Sequence, residues 1–183
     1  MSLPPLDKSI FPALPSTPKL VPVFVFNLRV EEAIPVLANK ATDSSLTLAR
    51  VVNGEVVTVK NDLGLEFDVK DITGFDDLVG TTSRNVTHLD CKLYGSTANG
   101  AGVYITYPGV VRTLPVSTNV LTGAAKHAEI EDGYVTCNPR FRLSDGVEEK
   151  FKWVLDENFI GKGRFERDGA GYLYVQYYIY ILR

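Results

Sequence analysis

Strict alternation of side-chain type marks the end of the chain, in residues 171–182. The even positions from 172 to 180 carry four tyrosines and one glutamine, and the odd positions carry Leu173, Val175, Tyr177, Ile179 and Ile181. A period of two residues is that of a β-strand with two different faces. The pattern predicts a strand with one face in a dry core and a phenolic face that lines a ligand cavity or a subunit interface.

Similar alternating or β-branched segments recur along the chain and are predicted as strands: residues 21–30, 46–52, 55–59, 65–72, 86–94, 103–111, 134–141, 159–165 and 172–182. Asn53-Gly54 predicts a tight hairpin turn, and Pro108-Gly109 predicts a bulge or bend. Residues 117–127 are predicted as a short helix or ordered loop, and residues 148–155 as weakly helical. No strand–helix–strand rhythm is present. We therefore expect an all-β fold, a closed antiparallel up-and-down β-barrel of about eight to ten strands with one or two short helices.

Proline content divides the chain into two parts. Residues 1–19 hold five of the ten prolines, which predicts an extended N-terminal arm. Residues 20–183 are predicted to form a single barrel domain, since a chain of 183 residues can bury a substantial core.

Composition narrows the function classes. Apolar residues make up 45% and charged residues 22%, as in an ordinary globular protein. The net charge is −3 and no block of Lys or Arg occurs, so neither nucleic acid nor a membrane is an expected partner. No secretory leader or membrane-spanning apolar run is recognised, and Cys91 and Cys137 are interpreted as buried, reduced thiols. These features predict a cytoplasmic location.

Motifs for cofactor binding or metal binding are absent from the sequence. It contains no phosphate-binding glycine loop, no dinucleotide fingerprint, no nucleophile elbow and no HExxH motif. His88 and His127 are the only histidines, and His127 is interpreted as a solvated side chain. We therefore expect neither a cofactor nor a metal ion.

The predicted strand 86–94 places titratable groups on one face. Its even positions are His88, Asp90, Lys92 and Tyr94. On an outer face this is an ordinary solvated strand, on an inner face it is a polar cavity wall, and a subunit interface is a third interpretation. In a cavity wall His88 and Asp90 would lie about 7 Å apart, close enough to hold a substrate between an acid and a base.

The following segments add further candidates. Tyr104, Tyr107 and Arg112 lie on the next predicted strand, and Tyr134, Asn138 and Arg140 on a later one. An arginine in a cavity keeps its proton and would stabilise a phenolate, although a surface ion pair explains Arg140 equally well. Trp153 is interpreted as a core cap more readily than as a stacking platform.

Several short motifs resemble a known family. They are the segment 134–141 with its Pro-Arg-Phe, residues 152–155 with Lys-Trp, residues 159–163 with Gly-Lys-Gly, Leu89-Asp90 with the turn and strand at 100–109, and the closing tyrosine strand. Together they resemble the small-barrel family known as domain of unknown function 3237, over residues 20–182. Arg84-Asn85 replaces an Asp-Trp pair frequent in bacterial members, Lys92 replaces an Arg, and the loop 113–130 is long. These departures resemble a fungal secondary-metabolism branch.

The resemblance implies a closed barrel, often a homo-oligomer, that acts in polyketide or meroterpenoid pathways by closing a cyclic ether without a cofactor. The reaction adds a phenol across an alkene, and the expected substrate is a small, hydrophobic, aromatic molecule. Asp90 or His88 would act as acid or base, and Arg84 and Arg140 would polarise the phenol. The candidate substrate-binding residues are Tyr104, Tyr107, Tyr134, Asn138, Arg112 and Trp153. The alternatives are a barrel that carries a hydrophobic metabolite without turnover and a purely structural subunit.

Overall fold

The structure is a computed structural model that describes residues 17–183, so the predicted arm 1–19 lies almost wholly outside the described residues. The described chain forms ten strands: β1 (Leu20–Val30), β2 (Ile34–Asn39), β3 (Ser44–Thr58), β4 (Lys70–Thr81), β5 (Val86–Ser96), β6 (Gly102–Arg112), β7 (Val135–Cys137), β8 (Arg140–Leu143), β9 (Phe159–Arg167) and β10 (Leu173–Leu182). Helix α1 spans Pro115–Leu121, and 3-10 helices span Thr82–Arg84 and Glu149–Leu155.

Eight of these strands close into an antiparallel barrel, which confirms the predicted fold. The sheet order is β1-β10-β9-β7-β6-β5-β4-β3-β2, and an additional β1–β3 pairing closes the ring. β1 pairs along its whole length with β10, from Leu20↔Leu182 to Val30↔Leu173. β2 extends the sheet beside the first half of β3, and β8 pairs with β6. Closure leaves no free edge around the ring, which is how barrels avoid edge-to-edge aggregation.

The predicted hairpin turn at Asn53-Gly54 is wrong, because β3 runs through both residues without a break. The first half of β3 pairs with β2 and β4, and the second half pairs with β1. A Cβ atom on Gly54 would lie 2.7 Å from the Leu28 side chain and 2.9 Å from the Asn27 carbonyl oxygen. Glycine is therefore required there for close packing of β3 on β1, and this contact, not a turn, explains the glycine.

Other boundaries also differ from the prediction. β6 keeps an unbroken register with β5 through Pro108-Gly109, so no bulge forms there. The missing N–H of Pro108 is tolerated because the other neighbour of β6 changes near this point, from β8 at residues 103–106 to β7 at residues 109–111. Pro139 separates β7 from β8 within the predicted strand 134–141. β2 and most of β4 were not predicted, because Pro35 interrupts the short β2 and the glycines and acidic residues of β4 weaken its strand pattern.

One end of the barrel is filled by aromatic side chains. Phe24 lies at its centre, with ring centroids 5.4–6.2 Å from those of Phe26, Phe67, Phe141, Trp153 and Phe159. Phe151 of the 3-10 helix closes this cluster against Phe67 at 5.8 Å. The end of β1 and the start of β10 reach the other end of the barrel, where the interior is open.

Candidate functional site

The open end of the barrel contains a cavity of about 980 Å³, within the size range of sites for small organic ligands. Its side walls are mainly aliphatic and aromatic. They include Leu28, Val30, Val51, Leu78, Leu89, Val111, Phe165, Leu173 and Val175. A largely dry pocket of this size accepts a hydrophobic molecule and strengthens any polar contact made inside it.

Asp76 is the buried carboxyl group of this wall. It lies on β4, its residue is 7% exposed, and one carboxylate oxygen accepts the backbone N–H of Asp90 at 3.0 Å. Within residues 17–183, no Lys, Arg or His side chain forms an ion pair with it. Burial raises the pKa of Asp76 to about 7, with a smaller upward contribution from the negative charges of Asp90 and Asp77.

Two tyrosines form the floor of the cavity. The ring centroids of Tyr107 and Tyr177 are 5.9 Å apart, and Tyr107 packs on Phe26 at 6.2 Å, where the aromatic cluster begins. Burial raises the pKa of both phenols well above the ordinary value, and it does the same for the Cys91 thiol. These groups are therefore neutral hydrogen-bonding partners at physiological pH.

Strand register brings the polar groups together. Asp76 lies opposite Cys91, and Cys91 lies opposite Tyr107, so one row crosses β4, β5 and β6. Side chains directly opposite each other in an antiparallel sheet are about 5 Å apart at their Cβ atoms. Tyr177 comes from β10, where it lies opposite Gly163. A Cβ atom on Gly163 would lie 2.5 Å from the Tyr177 ring, so the absent side chain provides the space for this phenol.

The entrance is polar. Glu31 and Glu32 are exposed at its edge, and the Arg29 guanidinium lies 3.4 Å from the centroid of the Tyr172 ring. Helix α1, in the connection between β6 and β7, contributes Ser117 and Leu121 to the lining. A ligand therefore enters past charged groups into an apolar interior.

The structure places most of the predicted site residues outside this cavity. His88 and Asp90 are exposed on the outer face of β5, whereas Leu89, Cys91 and Leu93 of the same strand are buried. The predicted alternation is correct, but the placement of its titratable face on the cavity wall is wrong. Burial of the apolar face is strongly favoured, because the charged groups of the other face retain their hydration.

The arginine candidates are outside as well. Arg84 is exposed in the 3-10 helix after β4, Arg140 is exposed on β8, and Arg112 is exposed at the end of β6. Arg112 lies over the ring of Tyr134, which is itself exposed, with its guanidinium 4.7 Å from the ring centroid. The cavity prediction for these four residues is therefore wrong: β6 and β8 turn the apolar neighbours of Arg112 and Arg140 inward, and Arg84 and Tyr134 lie outside the strands.

The remaining candidates divide between two locations. Tyr104 stacks on exposed Tyr94 outside the barrel, at 5.2 Å between ring centroids. The amide of Asn138 donates to the Phe159 carbonyl oxygen, and the indole N–H of Trp153 donates to the Glu66 carbonyl oxygen at the aromatic end. These placements contradict the substrate-binding prediction for all three, and Trp153 is instead the core cap that was its favoured interpretation.

Tyr107 is the predicted site residue that does line the cavity. Tyr107 lies on the same face of β6 as buried Val103 and Ile105, whereas Tyr104 lies on the other face. Of the predicted phenolic face, Tyr172 lies at the cavity entrance and the residues from Tyr174 to Tyr180 lie outside the lining, whereas Tyr177, the aromatic residue on the aliphatic face, lines the cavity.

Sequence reasoning missed Asp76, Tyr177 and Ser117. The available signal was a polar side chain on a strand face that is otherwise apolar, such as Asp76 on the face that also carries Ile72 and Leu78. Within the described part of the chain, no group of three or more His, Cys, Asp or Glu side chains is arranged to hold a metal ion. No helix in residues 17–183 is long and apolar enough to cross a membrane.

Comparison with known proteins identifies the family of this chain. The model described as Protein of unknown function (DUF3237) matches residues 18–182, nearly the entire chain. The chain belongs to the DUF3237 family. No curated protein matches the sequence.

Solved structures share the DUF3237 barrel at low sequence identity. A conserved protein of unknown function from Rhodopseudomonas palustris is 18% identical with a TM-score of 0.68, over 92% of this chain and 100% of that one. A β-barrel-like protein from Acinetobacter baumannii is 16% identical with a TM-score of 0.63, over 93% and 99%. An enzyme from Penicillium herquei is 14% identical with a TM-score of 0.56, over 93% and 99%. At these identities the similarity establishes the fold.

Proposed function

We propose that this barrel is a cofactor-independent cyclase that closes a cyclic ether by adding a phenol across an alkene of the same molecule. The observation that carries the proposal is Asp76, a buried carboxyl group with a pKa of about 7 in an apolar cavity. Near neutral pH much of its population is protonated, and it can donate a proton where an ordinary aspartate cannot. The substrate would be a small aromatic molecule with an alkenyl side chain.

The reaction needs one proton donor and no external reactant. The Asp76 carboxyl group donates its proton to one alkene carbon, and the phenol oxygen bonds to the other carbon. The phenol proton passes to the Asp76 carboxylate, which regenerates the acid. One C–H bond and one C–O bond form, while the alkene π bond and the O–H bond break, so the substrate is isomerised.

The rest of the cavity supports this chemistry. The aliphatic walls exclude water, which would otherwise capture an electron-deficient carbon. The neutral hydroxyl groups of Tyr107 and Tyr177 are suited to orienting the phenol by hydrogen bonding, without a competing charge. The volume of about 980 Å³ accommodates an aromatic ring with its side chain.

The same apolar walls favour a second candidate function, a carrier that binds a hydrophobic aromatic metabolite without turnover. The two functions differ in what Asp76 must do. A carrier uses its carboxyl group at most as a hydrogen-bonding partner, whereas the cyclase requires its proton.

The test uses the purified full chain and 2-prenylphenol, with the product identified by chromatography and mass spectrometry. The wild type is expected to form the achiral cyclic ether 2,2-dimethylchroman, because the CH carbon of the alkene takes the proton and the phenol oxygen bonds to the dimethyl carbon. In deuterated water one deuterium should enter that former alkene CH carbon. Turnover is expected to fall as pH rises through about 7, because the acidic form is lost. Asp76→Asn should lower turnover by roughly a hundredfold or more with binding retained.

Asp90→Asn is the matched control, because it removes a neighbouring carboxylate that is exposed outside the cavity. It should leave turnover within about twofold, and loss of activity here but not in Asp76→Asn would refute the assignment. Tight binding of 2-prenylphenol with no product in the wild type would refute the cyclase and support the carrier. Absence of binding would refute both.

A further inference from the structure

The Ser117 side chain carries a buried hydroxyl group in the lining of the cavity. Ser117 lies in α1, is 1% exposed and belongs to the lining. Within the described residues its Oγ atom has no hydrogen-bonding partner. Native structures rarely leave a buried hydroxyl unpaired, so this one requires a partner that the chain itself does not provide.

Ser117 Oγ does not bond to the backbone carbonyl oxygens near it. A serine in a helix often donates to the carbonyl four residues earlier, as Thr122 does to Thr118 at 2.9 Å, but Ser117 makes no such bond. Gly133 is its neighbour across the connection, where an added Cβ would lie 3.6 Å from Ser117 Oγ. The Gly133 carbonyl oxygen accepts a hydrogen bond from the Lys162 ammonium group, and Ser117 Oγ does not donate to it.

Helix α1 holds this hydroxyl group in a fixed position. The side chain of Val120, on the same helix, is fully buried. The Arg167 guanidinium donates to the carbonyl oxygens of Val120 at 2.8 Å and Leu121 at 2.7 Å, at the end of the helix. A polar group held in this way binds a ligand atom with little further ordering.

We propose that Ser117 Oγ is a specificity-determining contact that hydrogen-bonds a second oxygen substituent of the ligand. This inference rests on the proposed function, because it extends the ligand bound near Asp76. The cavity then has a buried polar group on α1 in addition to Asp76 on β4 and the phenols of Tyr107 and Tyr177. The fitting ligand is an aromatic molecule with one oxygen in the reacting phenol and another, a carbonyl or hydroxyl, directed at α1.

The test compares two probes, 2-prenylphenol and a prenylated hydroxyacetophenone that carries an additional acetyl group. Dissociation constants are measured by calorimetry for the wild type, Ser117→Ala and Asn119→Ala. Asn119 is the matched control, because it lies on the same helix and is exposed. We expect Ser117→Ala to weaken binding of the acetyl probe by about five- to tenfold, with 2-prenylphenol unchanged within twofold. Asn119→Ala should change neither.

Stability without ligand provides an independent measurement. Removal of an unpaired buried hydroxyl should leave the melting temperature unchanged or raise it, whereas removal of a hydroxyl paired in the free protein should lower it. A lower melting temperature together with equal weakening of both probes would overturn the assignment, as would unchanged binding of both. If neither probe binds the wild type, the proposed substrate class is itself wrong.

Discussion

Asp76→Asn should make the folded protein more stable above neutral pH, although it abolishes the proposed proton donor. The folded-state pKa of Asp76 is about 7, against an ordinary value of 3.8. A difference of about 3 pKa units corresponds to about 4 kcal/mol at 1.36 kcal/mol per unit. Asparagine carries no charge at any pH and retains an oxygen that can accept the Asp90 N–H. The variant should therefore avoid most of this cost.

The direction of this pH dependence follows from how many protons the folded and unfolded states bind at Asp76. Between pH 4 and pH 7 the unfolded chain has lost the Asp76 proton while the folded chain still holds it, so stability falls as pH rises across this range. Below pH 4 both states are protonated and the contribution to stability is complete, and above pH 7 it is lost. The advantage of Asp76→Asn should thus be near zero at pH 4 and should level off above pH 7, at a few kcal/mol.

Urea unfolding provides the measurement, at intervals from pH 4 to pH 8.5, followed by circular dichroism and by the fluorescence of Trp153, the single tryptophan. The quantity of interest is the difference in unfolding free energy between variant and wild type, which cancels the titration of other groups. Asp77→Asn on the same strand is the control for removing a carboxylate outside the cavity. A difference that stays constant with pH would refute the buried, proton-holding state of Asp76.

Two residues that hold the cavity lining in place, Gly163 and Arg167, can be tested by substitution. Gly163→Ala should destabilise the fold by about 1–3 kcal/mol in urea unfolding, because the added Cβ would lie 2.5 Å from the Tyr177 ring. Gly169→Ala should change stability little, because no atom lies within 4 Å of its added Cβ. Equal losses of stability in the two variants would contradict the role of Gly163. Arg167→Gln should cost about 2 kcal/mol and speed hydrogen exchange in α1, because three backbone carbonyl oxygens lose their charged donor. Arg164→Gln, which loses side-chain ion pairs with Glu166 and Glu129, should cost less than about 1 kcal/mol and leave exchange in α1 unchanged.

Much of the barrel follows from local sequence pattern, because each antiparallel strand with one buried face carries its own alternation. β5 and β10 were predicted for this reason. Asn53-Gly54 was misinterpreted because its glycine serves a contact with β1 that is remote in sequence. Local turn preference cannot reveal such a contact, since the strand that requires it is specified elsewhere in the chain.

The candidate site was harder to predict than the fold, since period-two patterns separate two faces without saying which one encloses a cavity. His88 and Asp90 attracted attention because titratable groups cluster there, yet clustering is typical of a solvated face. Asp76 and Ser117 are isolated polar residues among apolar neighbours. Their importance depends on burial, which only the assembled barrel provides.

Asp76 and Ser117 differ in how freely evolution can change the chain around them. Asp76 lies in a strand paired on both sides, so an insertion near it disrupts two ladders at once. Ser117 lies in the 113–134 connection, which meets the barrel through a bridge between His127 and Glu166 and can be lengthened away from that bridge without altering a strand ladder. Descendants of one ancestral barrel can therefore diversify their ligands through this connection while inheriting the same acid.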